Sequence, residues 1–187
     1  MSTTTLDKAY TVEKTTVECY KLRHKSGMYW ADITIDSKLK GGRIQIASDY
    51  GSWQNYWGAT CDNFKEFLIS LDIHYAAGKF NADRYFDIEK TLLSYIKLAE
   101  ENKFKFNKML ELKKEIHQLE NYTHKEEFSI NVFSCKTIMS MYEGCPEICY
   151  DIDPGFKNFW ANCWPVLIDE LKKEIQPNTY LPHCLIN

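Results

Sequence analysis

YWADITIDSKLKGGRIQIASDYGSWQNYW, residues 29–57, sets the fold class, because its apolar positions recur every second residue. Tyr29, Ala31, Ile33 and Ile35 share one face, and Trp30, Asp32, Thr34 and Asp36 the other. Ile44 and Ile46 alternate in the same way with Arg43, Gln45 and Ala47. Period two with one polar face is the pattern of half-buried antiparallel strands. Ser26-Gly27, 37–42 (SKLKGG) and Tyr50-Gly51-Ser52 supply the turns. With 17–24 (VECYKLRH, poorly alternating) as a first strand and 52–57 (SWQNYW) as a fourth, the stretch predicts a four-stranded meander.

Period two stops at Gly58. In 63–78 (NFKEFLISLDIHYAAG), Phe64, Phe67, Leu68, Leu71 and Tyr75 form one helical stripe. Asn63 and Glu66 have capping-box spacing, and Gly78 reads as the C-cap. This helix is expected to cover the apolar face of the sheet. Residues 79–143 contain neither Gly nor Pro. Tyr85, Ile88, Leu92, Tyr95 and Ala99, then Phe106, Met109, Leu112, Ile116 and Leu119, step by three and four, which predicts a helical hairpin. Thr123 and Glu126 form a second capping box ahead of a stripe through Phe128, Val132, Cys135, Met139 and Tyr142. Asp153-Pro154 starts the last helical region, which Pro165 should kink or restart.

Strands first and helices after them read as α+β. The expectation is an N-terminal four-stranded antiparallel meander packed on a helix, followed by a C-terminal helical bundle. The divisions are a flexible leader at 1–16, sheet plus first helix at 17–80, and a helical region at 81–187 sharing the core, as a single domain or two subdomains. A chain of 187 residues is long enough to bury one substantial core.

Composition narrows the function classes. The net charge of −3 is unevenly spread, with +2 over 1–60 (eight basic, six acidic) and −4 over 125–187 (five basic, nine acidic). The whole-chain charge does not supply the basic face that a sequence-independent grip on nucleic acid needs, although a local patch stays open, so nucleic acid is possible but not favoured. No long apolar run or signal-like start is present, and a soluble protein that stays in the compartment where it is made, without a membrane partner, is expected. Seven cysteines are then reduced thiols, mostly buried spectators.

Motifs for chemistry are sparse. Cys145 and Cys149 have a spacing that zinc can use, with Cys163, His183 and Cys184 as closers, but only one ligand pair is compact, and no metal or cofactor is expected. Asp32, Asp36 and Asp49 lie on or beside strands and could hold a divalent cation, but turn chemistry is the better explanation of an Asp such as Asp36. Asp72 and His74 are two apart, a spacing at which helical residues do not face each other. Cys61, ahead of a helix start, has no nearby His. No phosphate loop, dinucleotide fingerprint or nucleophile elbow occurs. No catalytic residue is therefore assigned. Exposed aromatics remain: Tyr50, Trp53 and Tyr56, with Trp30 and Arg43 on the outer sheet face, and the acidic residues Glu143, Glu147 and Asp151, form the candidate binding set.

The string GRIQIASDYGSW, followed by YWG and FKEFLISLDIHYAAGKF, resembles a family of small phage and prophage accessory proteins that carry an SDYG…WG…FKEFL signature in this order. The likeness covers residues 28–80 or so. It brings no catalytic residues, and it implies an accessory phage protein acting in the bacterial cytoplasm. Many such proteins bind and block host machinery, CRISPR complexes among them. The leading expectation is thus a non-enzymatic protein that inhibits or redirects a host protein or complex, with oligomeric state open. The alternatives are a small metal-dependent or nucleotide-acting enzyme using Asp32, Asp49, Arg43 or His74, and a nucleic-acid-binding module on the sheet face.

Overall fold

The computed structural model describes residues 11–60 and 63–175. Strands β1 (Glu18–Leu22), β2 (Ala31–Lys38), β3 (Gly41–Ser48) and β4 (Gly51–Trp57) form an antiparallel sheet in the order β1-β2-β3-β4. Ile33 pairs with Ile46 and Ile35 with Ile44, and these four with Ala31 are at most 3% exposed. The same register carries the buried face outward to Tyr20 on β1 and to Trp53 on β4. The fold is α+β, with this meander leading and helices following.

Two-residue loops join β2 to β3 and β3 to β4. Gly41 opens β3 with φ +150°, and a Cβ there would collide with the Trp57 carbonyl oxygen of the neighbouring strand. At Gly42 the missing side chain leaves room for the Phe64 ring, which lies 2.5 Å from where a Cβ would stand. Helix α1 (Phe64–Ile69) thereby seats against the sheet, with Trp57 packing on Phe64 and Phe67 at centroid separations of 5.9 and 5.4 Å.

The helix expected to run through Gly78 is instead two helices. Asp72 Oδ1 accepts from the backbone N–H groups of His74 and Tyr75, which a continuous helix would direct at carbonyls one turn back. Helix α1 stops at Ile69, and α2 (Ile73–Lys79) begins anew, with Tyr75 turned out of the stripe at 42% exposure. Gly78 lies inside α2, and the left-handed residue after it is Asn81, φ +56°. Tyr29 departs from the pattern too. It precedes β2 with φ +59° and is exposed, off the pleat that the alternation assigns it.

The chain divides into two compact units, Met1–Leu71 with Phe159–Asn187, and Asp72–Asn158. In the first, α8 (Trp164–Ile175) packs on α1 and β1. Lys65 of α1 sits between Glu18 Oε2 (2.6 Å) and Glu174 Oε2 (2.5 Å), and the Tyr20 hydroxyl donates to both carboxylates. The boundary between units falls within α7 (Pro154–Asn162), which Asp153 caps by accepting from Phe156 N–H. Pro165 in the first turn of α8 coincides with the restart after α7, as its missing N–H requires.

In the second unit, α3 (Ile88–Glu101) and α4 (Phe106–Leu119) form the expected hairpin, burying Leu92, Tyr95 and Ala99 with Leu112, Ile116 and Leu119. Tyr85 belongs to β5 (Tyr85–Phe86), which pairs with β6 (Tyr150–Asp151) rather than opening α3. The stripe from Phe128 to Tyr142 is split between α5 (Lys125–Val132) and α6 (Lys136–Met139). The Glu115 carboxylate accepts from the N–H groups of Thr137 and Ile138 and so caps a fresh helix. Helix α5 has His124 at its N-cap, without a side-chain bond, so Thr123 does not act as the cap.

Candidate functional site

The SDYG turn shows what each of its residues does. Asp49 Oδ2 accepts from Tyr29 N–H (2.6 Å) and Trp30 N–H (3.2 Å), which ties the segment ahead of β2 to the β3–β4 turn and holds Tyr29 in its left-handed conformation. Ser48 Oγ donates to the Gly51 carbonyl and accepts from Tyr50 N–H, closing the turn on itself. The half-buried Tyr50 ring stacks on Tyr29 at 6.1 Å, and its hydroxyl is bonded to Asn162. Burial, with Cys163, Tyr29 and Asp49 nearby, pushes that hydroxyl above its ordinary range. Gly51, φ +147°, leaves space for the Trp53 ring, 2.7 Å from where its Cβ would be. Trp53 in turn packs on Phe159 at 5.4 Å.

The other candidates on the sheet lie on the opposite face. Arg43 is directly across from Tyr56 and from Asp36, Gln45 from Gln54 and Thr34, and these side chains point away from the isoleucine rows. Arg43, Gln45, Gln54 and Tyr56 are exposed. Trp30 lies at the far corner beneath the Arg23 guanidinium, whose Nη2 is 2.6 Å from Asp32 Oδ1. Arg43, Gln54, Asn55 and Tyr56 line a shallow open depression of about 400 Å³. The structure thus brings Arg43 and Tyr56 together, sets Trp30 apart from them on the same face, and places Trp53 on the other face.

Glu143, Glu147 and Asp151 belong to the second unit. The segment carrying them is pinned to α3: Tyr95 Oη donates to the Glu147 carbonyl, and Cys149 N–H donates to Thr91 Oγ1. Glu143 and Glu147 keep exposed side chains. Asp151 pairs with Lys157 at 2.7 Å and accepts from Ile152 N–H, and these bonds, Lys157 first, hold its carboxyl below the usual range.

Two residues of an enzymatic reading, Asp49 and Asp32, are occupied elsewhere. Asp49 is committed to backbone N–H groups and Asp32 to Arg23, while His74 is exposed on α2 in the second unit. Cys163 and Cys135 are buried, and burial raises both thiols, which keeps them protonated and poorly nucleophilic. Among the described residues no group of three or more His, Cys, Asp or Glu could hold a metal ion. His183, Cys184 and Cys61 lie outside the described residues. No helix among the described residues is long and apolar enough to cross a membrane.

A family model described as a phage family matches residues 10–176. The chain belongs to this phage family. The match takes in both compact units, well beyond the 28–80 stretch on which the resemblance rests. No curated protein and no solved structure matches the chain. Within this phage protein the SDYG turn, the most distinctive string in the sequence, is accounted for by backbone capping and ring packing. Gln54 and Lys38, beside Arg43 and Tyr56 on the outer face, were not picked out by sequence reasoning, although the same alternation marks them.

Proposed function

We propose that this phage protein is a non-enzymatic accessory protein that binds a host protein or complex in the bacterial cytoplasm and inhibits or redirects it, host defence being the kind of machinery it suits. The observation that carries the reading is the outer face of the sheet. It is open to solvent among the described residues, and it presents Arg43, Gln45, Gln54 and Tyr56 on rigid strands. A sheet held by three antiparallel pairings offers such groups with little ordering cost on binding. Tyr and Arg are also the residue types that most often anchor interfaces. Trp30 and Arg23 extend the same face, whereas Tyr50 and Trp53 are engaged in packing that the fold uses.

A photo-crosslinking residue at Gln45 tests the reading, with one at Lys114 on α4 as the control. In host cells the Gln45 probe is expected to give one dominant adduct with a host protein. Equal adduct patterns from both positions, or none from Gln45, count against the proposal.

A further inference from the structure

The cations of the outer face differ in what they already hold. Arg23 is paired with Asp32 and lies over Trp30. Lys38 Nζ lies 5.8 Å from the centre of the Tyr56 ring. Arg43 is exposed, and no carboxylate among the described residues comes within 4.0 Å of it, although Asp36 is its cross-strand neighbour. An unpaired guanidinium on a strand is a fixed fork of donors awaiting an acceptor.

On the β4 side its neighbours add donors, while Asp36 on β2 is the one carboxylate directly across from it. Gln45 Nε2 donates to Gln54 Oε1 at 3.2 Å, so the acceptor oxygen of Gln54 is engaged and its own amide N–H groups stay available. Tyr56 contributes a hydroxyl beside Arg43, and Lys38 adds positive charge over the same ring. The depression that Arg43, Gln54, Asn55 and Tyr56 line is therefore suited to an anion.

We propose that this depression is a carboxylate-binding subsite, receiving a Glu or Asp side chain from an acidic peptide segment of the partner protein. The inference rests on the reading of the outer face as the binding face. The distribution of charge decides between a carboxylate and a phosphodiester backbone. A nucleic-acid strand repeats its negative charge and calls for an unbroken row of cations, whereas Asp32, across from Lys21 and paired with Arg23, and Asp36, across from Arg43, interrupt the cations of this face. A single carboxylate needs one bidentate donor with flanking amide and hydroxyl groups, which is what stands here. Gln54, Asn55 and Tyr56 are consecutive on β4, an edge strand of the sheet, so an extended peptide can approach from the side.

The test is an NMR titration of the full-length chain with an acetylated, amidated Gly-Ser-Glu-Ser-Gly peptide and its Gln counterpart. Saturable shifts are expected at Arg43 Nε–H and the Gln54 side-chain amide with the Glu peptide, and none with the Gln peptide. Arg43→Gln should weaken the binding about tenfold or more, and Lys114→Gln should leave it unchanged. Absence of shifts at Arg43 overturns the subsite, as does an oligothymidylate that binds there more tightly than the Glu peptide. The Gln45 cross-link separates the two levels. An adduct that persists in Arg43→Gln overturns the subsite and leaves the binding face standing, whereas absence of an adduct from either chain overturns the face itself.

Discussion

Asp49 shows how one side chain can carry a turn that looks like a binding surface. Its carboxylate takes two backbone N–H groups, of Tyr29 and Trp30, that otherwise need water or a new partner. Asp49→Ala is expected to lower stability by about 1–3 kcal/mol, seen as an earlier midpoint in urea unfolding. A midpoint unchanged within error would show that the two N–H groups are satisfied without it. Gly41 is the second residue on which the sheet turns. Its backbone lies where side chains are strained, and its Cβ position is filled by the Trp57 carbonyl. Gly41→Ala should therefore cost more than about 1 kcal/mol, against the gain that Gly→Ala gives at a compatible position. Equal or greater stability by thermal melting would refute the crowding argument.

At the scale of elements, the ion cluster on β1, α1 and α8 sets a pH dependence. Hydrogen bonding from Lys65 first, and from Tyr20 less, holds the Glu18 carboxyl below its ordinary 4.5 against the opposing effect of burial. Burial pulls Lys65 down, but its bonds to Glu174, Glu18 and Tyr20 outweigh this and raise it above 10.5. A depressed carboxylate stabilises fully above 4.5, and that share is lost as pH falls through its folded value. A raised lysine stabilises fully below 10.5, and that share is lost as pH rises through its folded value. Lys65→Met should cost about 1–2 kcal/mol at neutral pH, since both carboxylates are partly solvated. The gap between variant and wild type should shrink as pH falls below 4.5, and a gap that stays constant in acid would disprove the assignment. Glu115→Gln is expected to cost about 1 kcal/mol and to speed amide exchange at Thr137 and Ile138. Protected amides in the variant would refute the cap.

These same elements show how much was legible beforehand. Alternation of Ile33, Ile35, Ile44 and Ile46 specified strands, faces and pairing, because a slip by one residue would expose every isoleucine. It marked Arg43 and Gln45 as outer-face residues for the same reason, whereas the pairing of Arg43 with Tyr56 depends on the β3–β4 register. The break at Asp72 was hidden, since apolar residues keep helical spacing across it while one carboxylate redirects two N–H groups. The break before α6 was hidden differently, because its cap comes from Glu115, more than twenty residues earlier in the chain. The role of Asp49 depends on Tyr29, twenty residues away, which local pattern cannot report.

At the scale of the whole molecule, the second unit is one continuous stretch, whereas the first is assembled from two separated pieces. A fragment spanning 72–158 retains the cluster from Leu92 to Ile138 and is expected to fold alone, with cooperative thermal unfolding by circular dichroism. A fragment ending at residue 71 lacks Phe159 against Trp53 and Glu174 against Lys65, and should stay unfolded or aggregate. A folded 1–71 fragment would show that α8 is dispensable. The division also imposes a sequence of events during synthesis. The meander leaves the ribosome before the second unit, yet part of the cover of its apolar face comes from residues beyond 158, which emerge only after the intervening unit has been made. For that interval only α1 covers the isoleucine face, so these strands are secured after the unit that follows them and stand in need of a chaperone.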